Sequence, residues 1–181
     1  YVVHRTWSHQ ARLDAAIQDK TAQLRERNRR LEDEVAQREA TEESLRRSRQ
    51  RLNEAQALAH VGSWEWSFLE GRLDWSDELY RIFGYRPGGC ELGYTRFIQR
   101  VHPDDRIHVE KNLASALEED KGYSAEYRIS YPDGSVRHVR DSGVVERDGS
   151  GRPVRMRGVV HDVSDVKRAQ RALEESEHKY R

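Results

Sequence analysis

At 181 residues the chain has room for about one ordinary domain plus extensions, and its 32 basic and 32 acidic residues leave no global basic field to hold nucleic acid or an anionic membrane. Charged residues make up 35% of the sequence, the same share as hydrophobic ones, so a small core carrying long solvated helices is expected rather than a fully globular chain. The single cysteine excludes an internal disulfide and suggests a reducing compartment, and no apolar run approaches the roughly 20 residues that span a bilayer.

Tyr1-Val2-Val3 followed by His4-Arg5 reads as the cytoplasmic edge of a membrane helix, which makes residues 1–12 a juxtamembrane segment of a parent anchored in the inner membrane. From Leu13 to Leu52 there is neither proline nor glycine, and a continuous helix is expected. Ile17, Leu24, Leu31, Leu45 and Leu52 share one heptad position, broken by Arg38, while Thr21, Asn28, Val35, Glu42 and Arg49 fill its companion. Leucine at one seam position opposite polar residues at the other predicts a parallel two-stranded coil of modest stability over 13–52, with Ile17, Leu24, Asn28, Leu31, Val35, Leu45 and Leu52 at the dimer seam. Arg27 and Glu32 make a favourable flanking pair, whereas Lys20 with Arg25 and Glu34 with Glu39 repel. Arg25, Arg27, Arg29 and Arg30 resemble the basic region of a DNA-binding zipper, a rival of another class. Glu26, Glu32, Asp33 and Glu34 interrupt that charge, and the seam has already begun at Ile17, so no nucleic-acid partner is expected.

Ala55 to Val61 is read as a further short helix ending before Gly62, after which the apolar period changes from 3.6 to 2. Trp64, Trp66 and Phe68 alternate with polar residues as in a half-buried strand, and Arg72-Leu73-Asp74-Trp75 is its hairpin partner across Gly71. Ser76 is an N-cap for a short helix whose apolar face is Leu79, Ile82 and Phe83, stopping at Gly84, and Pro87-Gly88-Gly89 is a loop. Tyr94 to Val101 forms another helix. His102-Pro103-Asp104-Asp105 then opens the longest helix of the block, with a buried stripe of Ile107, Val109, Leu113, Ala116 and Leu117. The rest is strand: Ala125, Tyr127, Ile129 and Tyr131 alternate with polar residues, Pro132-Asp133-Gly134 turns, and Val136 to Arg147 and Val154 to Val163 flank the Asp148-Gly149-Ser150-Gly151 turn. Two strands, several short helices and three strands predict an α+β domain over 53–164 with five antiparallel strands and helices on one face.

The strings GSWEW, WSDELYRIFGYRP, RVHPDD, EYRISYPDGSVRHV and GVVHDVS, in this order across Ala55 to Val166, resemble the PAS family of sensor domains, PAS-fold-3-like with a PAC-type C-terminal part. The resemblance implies a five-stranded antiparallel sheet that senses, dimerises and passes strain into a following helix. In that family the last strand ends in an Asp-hydrophobic-Thr exit motif, which here is Asp162-Val163-Ser164, and His138 stands where tryptophan is common. The helix at 13–52 is similar to the signalling helices ahead of PAS domains in bacterial sensor histidine kinases and diguanylate cyclases. Residues 165–181 look like a linker into another PAS domain, in keeping with the weak match of TEESLRRSRQRL (41–52) to AQRALEESEHKY (169–180). The resemblance thus implies a homodimeric module of a two-component sensor histidine kinase, or alternatively of a diguanylate cyclase, working on output domains of its own polypeptide.

Some members of the family bind flavin or haem, but neither cofactor is expected here. Cys90 lies in a glycine-rich loop without the Asn-Cys-Arg-Phe-Leu-Gln string of flavin-binding members, His102 is better suited to opening a helix, and His108 falls on a polar face. The histidines show no zinc-ligand spacing, and the pairs Asp104-Asp105, Glu118-Glu119 and Glu174-Glu175 are accounted for by helix-end charge or solvated surface, so no catalytic residue is assigned. Trp64, Trp66, Trp75 and Tyr127 are the candidates for lining a core pocket, with packing as their simpler role.

Overall fold

The computed structural model describes the backbone of residues 2–89, 93–119 and 121–179 and the side chains of 12–89, 93–119 and 121–177. The chain divides into two units, residues 1–50 and 51–181. Helix α1 (Val2–Ala59) accounts for the described residues of the first and opens the second. It is longer than the expected 13–52, and the separate short helix expected at 55–61 is its own last turns, because nothing from Leu52 to Ala59 breaks a helix. It ends instead at His60, whose φ of 51° turns the chain in the left-handed region usually given to glycine or asparagine.

In the first unit, Ile17, Leu24, Leu31, Val35 and Leu45 are each at least half exposed. Several of the charges beside them pair within the helix: Glu26 with Arg29 and Arg30, Glu34 with Arg38, and Glu43 with Arg46 and Arg47. Arg38 thereby offsets the repulsion expected of Glu34, and Glu26 half-neutralises the basic stretch.

In the second unit, β1 (Val61–Ser67), β2 (Arg72–Trp75), β3 (Tyr123–Ser130), β4 (Val136–Arg147) and β5 (Pro153–Asp162) form one antiparallel sheet in the order β2-β1-β5-β4-β3. Helices α2 (Asp77–Ile82), α3 (Tyr94–Arg100) and α4 (Arg106–Glu119) lie between β2 and β3 in the chain, and α5 (Ser164–Lys179) follows β5. Tyr123, Ala125, Tyr127 and Ile129 of β3, Val139 of β4 and Met156 and Val160 of β5 point to one face, where Leu79, Ile82, Phe83, Val109 and Ala116 cover them. Period-2 burial along β3 is the strand signature that its sequence carried.

Local chemistry sets each junction. Ser76 caps α2, its Oγ accepting from the N–H of Leu79, and also accepts from the N–H of Ser63 at 2.9 Å, so one hydroxyl joins helix and strand. Gly62 lets α2 settle on β1, since a Cβ there would lie 2.5 Å from the Cα of Leu79. The expected long helix begins with a 3₁₀ turn, Pro103–Asp105, for which His102 Nδ1 accepts the N–H of Asp104. Asp105 then receives the guanidinium of Arg128 at 2.7 and 2.9 Å and the Arg128 backbone N–H at 2.8 Å, clamping the start of α4 to β3 and holding the Asp105 carboxyl below its usual pKa. Ile107, expected in the buried stripe, is 65% exposed. Val109, Leu113 and Ala116 follow the i, i+4, i+7 spacing of the inward face, and a residue two before Val109 lies on the opposite side of the helix. Val101, expected as the last residue of α3, leaves the helix and bridges to Ile129 of β3.

Candidate functional site

Two places in the second unit combine buried or capping polar side chains with the core elements. The first is a cavity of about 40 Å³ between the inner sheet face and the helices. Trp64 and Trp66 of β1, Trp75 of β2, Tyr94 and Phe97 of α3, and Tyr123 of β3 contribute its aromatic wall, with Trp66 stacked on Tyr94 at 5.7 Å and Trp64 edge-on to Tyr123 at 6.2 Å. Asp141 of β4 adds the carboxylate among the described lining residues, and it is only 3% exposed. Its Oδ1 accepts the indole N–H of Trp64 at 2.9 Å and its Oδ2 accepts the hydroxyl of Tyr127 at 3.0 Å. Burial pushes the acid up to about 7, against the pull of hydrogen bonds from Trp64, Tyr127, Tyr123 and the backbone N–H of Ser142. Burial and the same carboxylate raise the phenols of Tyr123 and Tyr127, which therefore remain donors.

The indole of Trp64 reaches Asp141 because two inward-facing glycines lie beneath it. Gly158 of β5 is paired with both Trp64 and Gly143, and a Cβ on either glycine would come within 3 Å of the indole ring. Three of the four expected pocket residues, Trp64, Trp66 and Trp75, line the cavity, while Tyr127 stands behind it as a ligand of Asp141. Asp141 itself was missed. The available signal was its position in the alternation of Val139, Asp141, Gly143 and Val145, which puts an acid on the core face of a strand.

The second place is the exit from β5. The carboxylate of Asp162 accepts the N–H of Ser164 at 2.9 Å, which caps the start of α5, and also receives Arg137 at 3.2 Å. Ser164 Oγ accepts the N–H of His138 at 2.9 Å and donates to its carbonyl at 3.4 Å, while the N–H of Val163 also donates to that carbonyl at 2.9 Å. The N–H of Asp162 donates to the carbonyl of His60 at 3.0 Å. His60, which ends α1, thus meets Asp162, the last residue of β5, whose carboxylate in turn caps the start of α5. His138 is half-buried, and burial followed by the nearby charges of Arg171 and Lys167 lowers its pKa.

The remaining expectations fall elsewhere. Cys90 lies outside the described residues. His108 is on the exposed face of α4, bonded to Asn112, and neither it nor His102 lines the cavity. Among the described residues no group of three or more His, Cys, Asp or Glu side chains is placed to hold a metal ion, and no helix is long and apolar enough to cross a membrane. A cavity of about 40 Å³ holds roughly three waters, far below the roughly 300–1,000 Å³ of sites for drug-sized ligands.

A family profile described as PAS fold matches residues 72–160, the span from β2 to β5. The chain is 26% identical over 133 residues to the probable diguanylate cyclase DgcE of Escherichia coli, covering 74% of this chain and 12% of that protein. It is 29% identical over 134 residues to the blue-light-activated histidine kinase of Brucella anthropi, covering 74% of this chain and 26% of that one. The chain therefore spans about a quarter or less of these curated relatives. Among solved structures, the sensory box histidine kinase/response regulator of Burkholderia thailandensis superposes with a TM-score of 0.58 at 31% identity, over 72% of this chain and 97% of the other. A solved relative matched almost from end to end at this identity, with the same fold recognised from β2 to β5, makes the chain a member of the PAS family.

Proposed function

We propose that this chain is the sensory and dimerisation module of a bacterial sensor histidine kinase, relaying a signal from α1 through the PAS domain into α5. The observation that carries this reading is the junction of His60 with Asp162 and Ser164, where the incoming helix, the central strands and the outgoing helix share one hydrogen-bond cluster. A displacement of α1, or of the sheet, alters the bonds that fix the first turn of α5. Coupling of about 1–3 kcal/mol between two packings is enough to move such an equilibrium. The Escherichia coli relative supports a diguanylate cyclase as the second parent, since the same relay serves either output. We assign the module to the cytoplasmic side of a membrane-anchored parent.

The seam supplies the dimer in this reading. Ile17, Leu24, Leu31, Leu45 and Leu52 recur at heptad spacing and are exposed in the single chain, and Val166 and Leu173 of α5 repeat the spacing with similar exposure. Replacing Leu24 and Leu31 together by glutamate is expected to weaken self-association by on the order of a thousandfold, read by analytical ultracentrifugation. An unchanged sedimentation profile removes the coil from the relay. Asp162→Ala in the full-length parent is expected to uncouple output from stimulus while lowering domain stability by only about 1 kcal/mol, the usual worth of a helix cap. A normal stimulus response in that variant refutes the exit assignment.

A further inference from the structure

The cavity has a chemistry that the relay does not explain. Among the described residues lining it there is no lysine, arginine or histidine, and Asp141 is the only carboxylate. Every group that the protein turns toward that carboxylate is a neutral donor: the indole of Trp64, the hydroxyls of Tyr127 and, beside it, Tyr123, and the backbone N–H of Ser142. Acceptors and anions are repelled by such a site. A purely apolar ligand leaves the charge of the carboxylate without a counter-ion, and a divalent metal finds a single anionic oxygen source among rings. Aromatic walls around one buried acid favour a weakly hydrated organic cation, attracted both by the charge and by the ring faces.

We propose that this cavity binds a small alkylammonium ion, with Asp141 as its counter-ion and Trp64, Trp66 and Tyr94 as its aromatic wall. The volume of about 40 Å³ limits the cation to a few heavy atoms, between methylammonium and trimethylammonium in size. Asp141 is an anchoring residue, and Tyr127 acts through it by holding the carboxylate in place. Because the cation requires the ionised acid, its affinity rises with pH until Asp141 is fully ionised and then levels off. The groups that face Asp141 do not blur this: Tyr123 and Tyr127 of β3 are held protonated, Trp64 of β1 does not titrate, and Tyr94 of α3 pairs with Glu110 at 3.4 Å. The inference supplies an input for the relay but does not rest on it, since binding is measured on this chain without any output.

The test is a titration of the 15N-labelled 181-residue chain with methylammonium and trimethylammonium chloride, following the indole N–H of Trp64 by NMR at constant ionic strength. tert-Butanol serves as the neutral match and sodium acetate as the anion. Saturable shifts with a dissociation constant on the order of 1 mM are expected for at least one ammonium ion, a value that the efficiency limit for so few atoms allows to the larger of the two cations. Affinity should fall about tenfold or more in Asp141→Asn, and severalfold in Trp66→Leu, a wall residue that does not touch the carboxylate. Lowering the pH from about 7 to 6 should weaken binding severalfold in the parent chain and not in Asp141→Asn. Equal affinity for tert-butanol, absence of saturation with both ammonium ions, or undiminished binding in a folded Asp141→Asn chain each overturns the proposal. Binding by this chain together with an output that ignores the cation in the full-length parent leaves the site standing and removes it from the relay.

Discussion

Gly158→Ala is expected to destabilise the PAS domain by about 3–5 kcal/mol. The added Cβ would lie 2.2 Å from the carbonyl oxygen of Ser142 and 2.5 Å from Cζ2 of Trp64, so both a backbone atom of the neighbouring strand and a rigid ring stand in its way. Neither is the free end of a flexible side chain. Overpacking of this kind commonly costs about 1–3 kcal/mol. Displacing the indole also breaks the bond from Trp64 to Asp141, a hydrogen bond to a buried charged group worth about 1.5–3 kcal/mol. Urea unfolding followed by tryptophan fluorescence measures the sum, with Gly149→Ala as the control, since a Cβ at Gly149 meets nothing within 4 Å. A Gly158→Ala chain within about 0.5 kcal/mol of the parent shows that Trp64 does not depend on this glycine floor.

The α+β layout and the inner face of the sheet were legible because both rest on local periodicity. Ala125, Tyr127 and Ile129 alternate with polar residues, and the strand they form buries them. Ser76 announced α2 by its cap chemistry, and His102-Pro103 announced the turn before α4. What stayed hidden depends on distant partners. The position of β5 between β1 and β4 is a nonlocal pairing that no window of sequence contains. The end of α1 was misread because His60, rather than a glycine, takes the left-handed conformation, held through its carbonyl by the N–H of Asp162 far along the chain. Ile107, an apolar residue in the first turn of α4, reads as inward by type, but the face of the helix that carries Val109, Leu113 and Ala116 leaves it exposed. Asp141 was passed over for the opposite reason. A charged residue in a strand is assigned to solvent by default, and only the strand's own alternation, read against that default, puts it inside.

Asp141→Asn is expected to alter the pH dependence of stability strongly. The acid is raised from 3.8 to about 7 in the folded chain, chiefly by burial, so the native state binds its proton more tightly than the unfolded chain does. A group of this kind contributes stability that is fully present below about pH 4 and is lost as the pH rises through about 7. By that linkage the parent loses on the order of 4 kcal/mol between pH 4 and pH 8 from this one site. Asparagine keeps the shape and an acceptor for Trp64 but carries no charge, so the stability of the variant relative to the parent should climb across the same interval and then stay constant. Asp105 works in the other direction: its carboxyl is depressed by Arg128, so its contribution is present above about pH 4 and is lost in acid. Both chains retain Asp105, so it cancels in the difference. Urea midpoints of parent and variant measured at intervals from pH 4 to 8 test the prediction, and a difference that does not change with pH means that Asp141 is ionised as readily inside the domain as outside it. The same measurement in the presence of an alkylammonium ion should recover part of the stability lost above pH 7. A cation beside Asp141 replaces the solvation that burial removed, and a domain that tolerates an uncompensated acid at its centre is most stable at neutral pH when that position is filled.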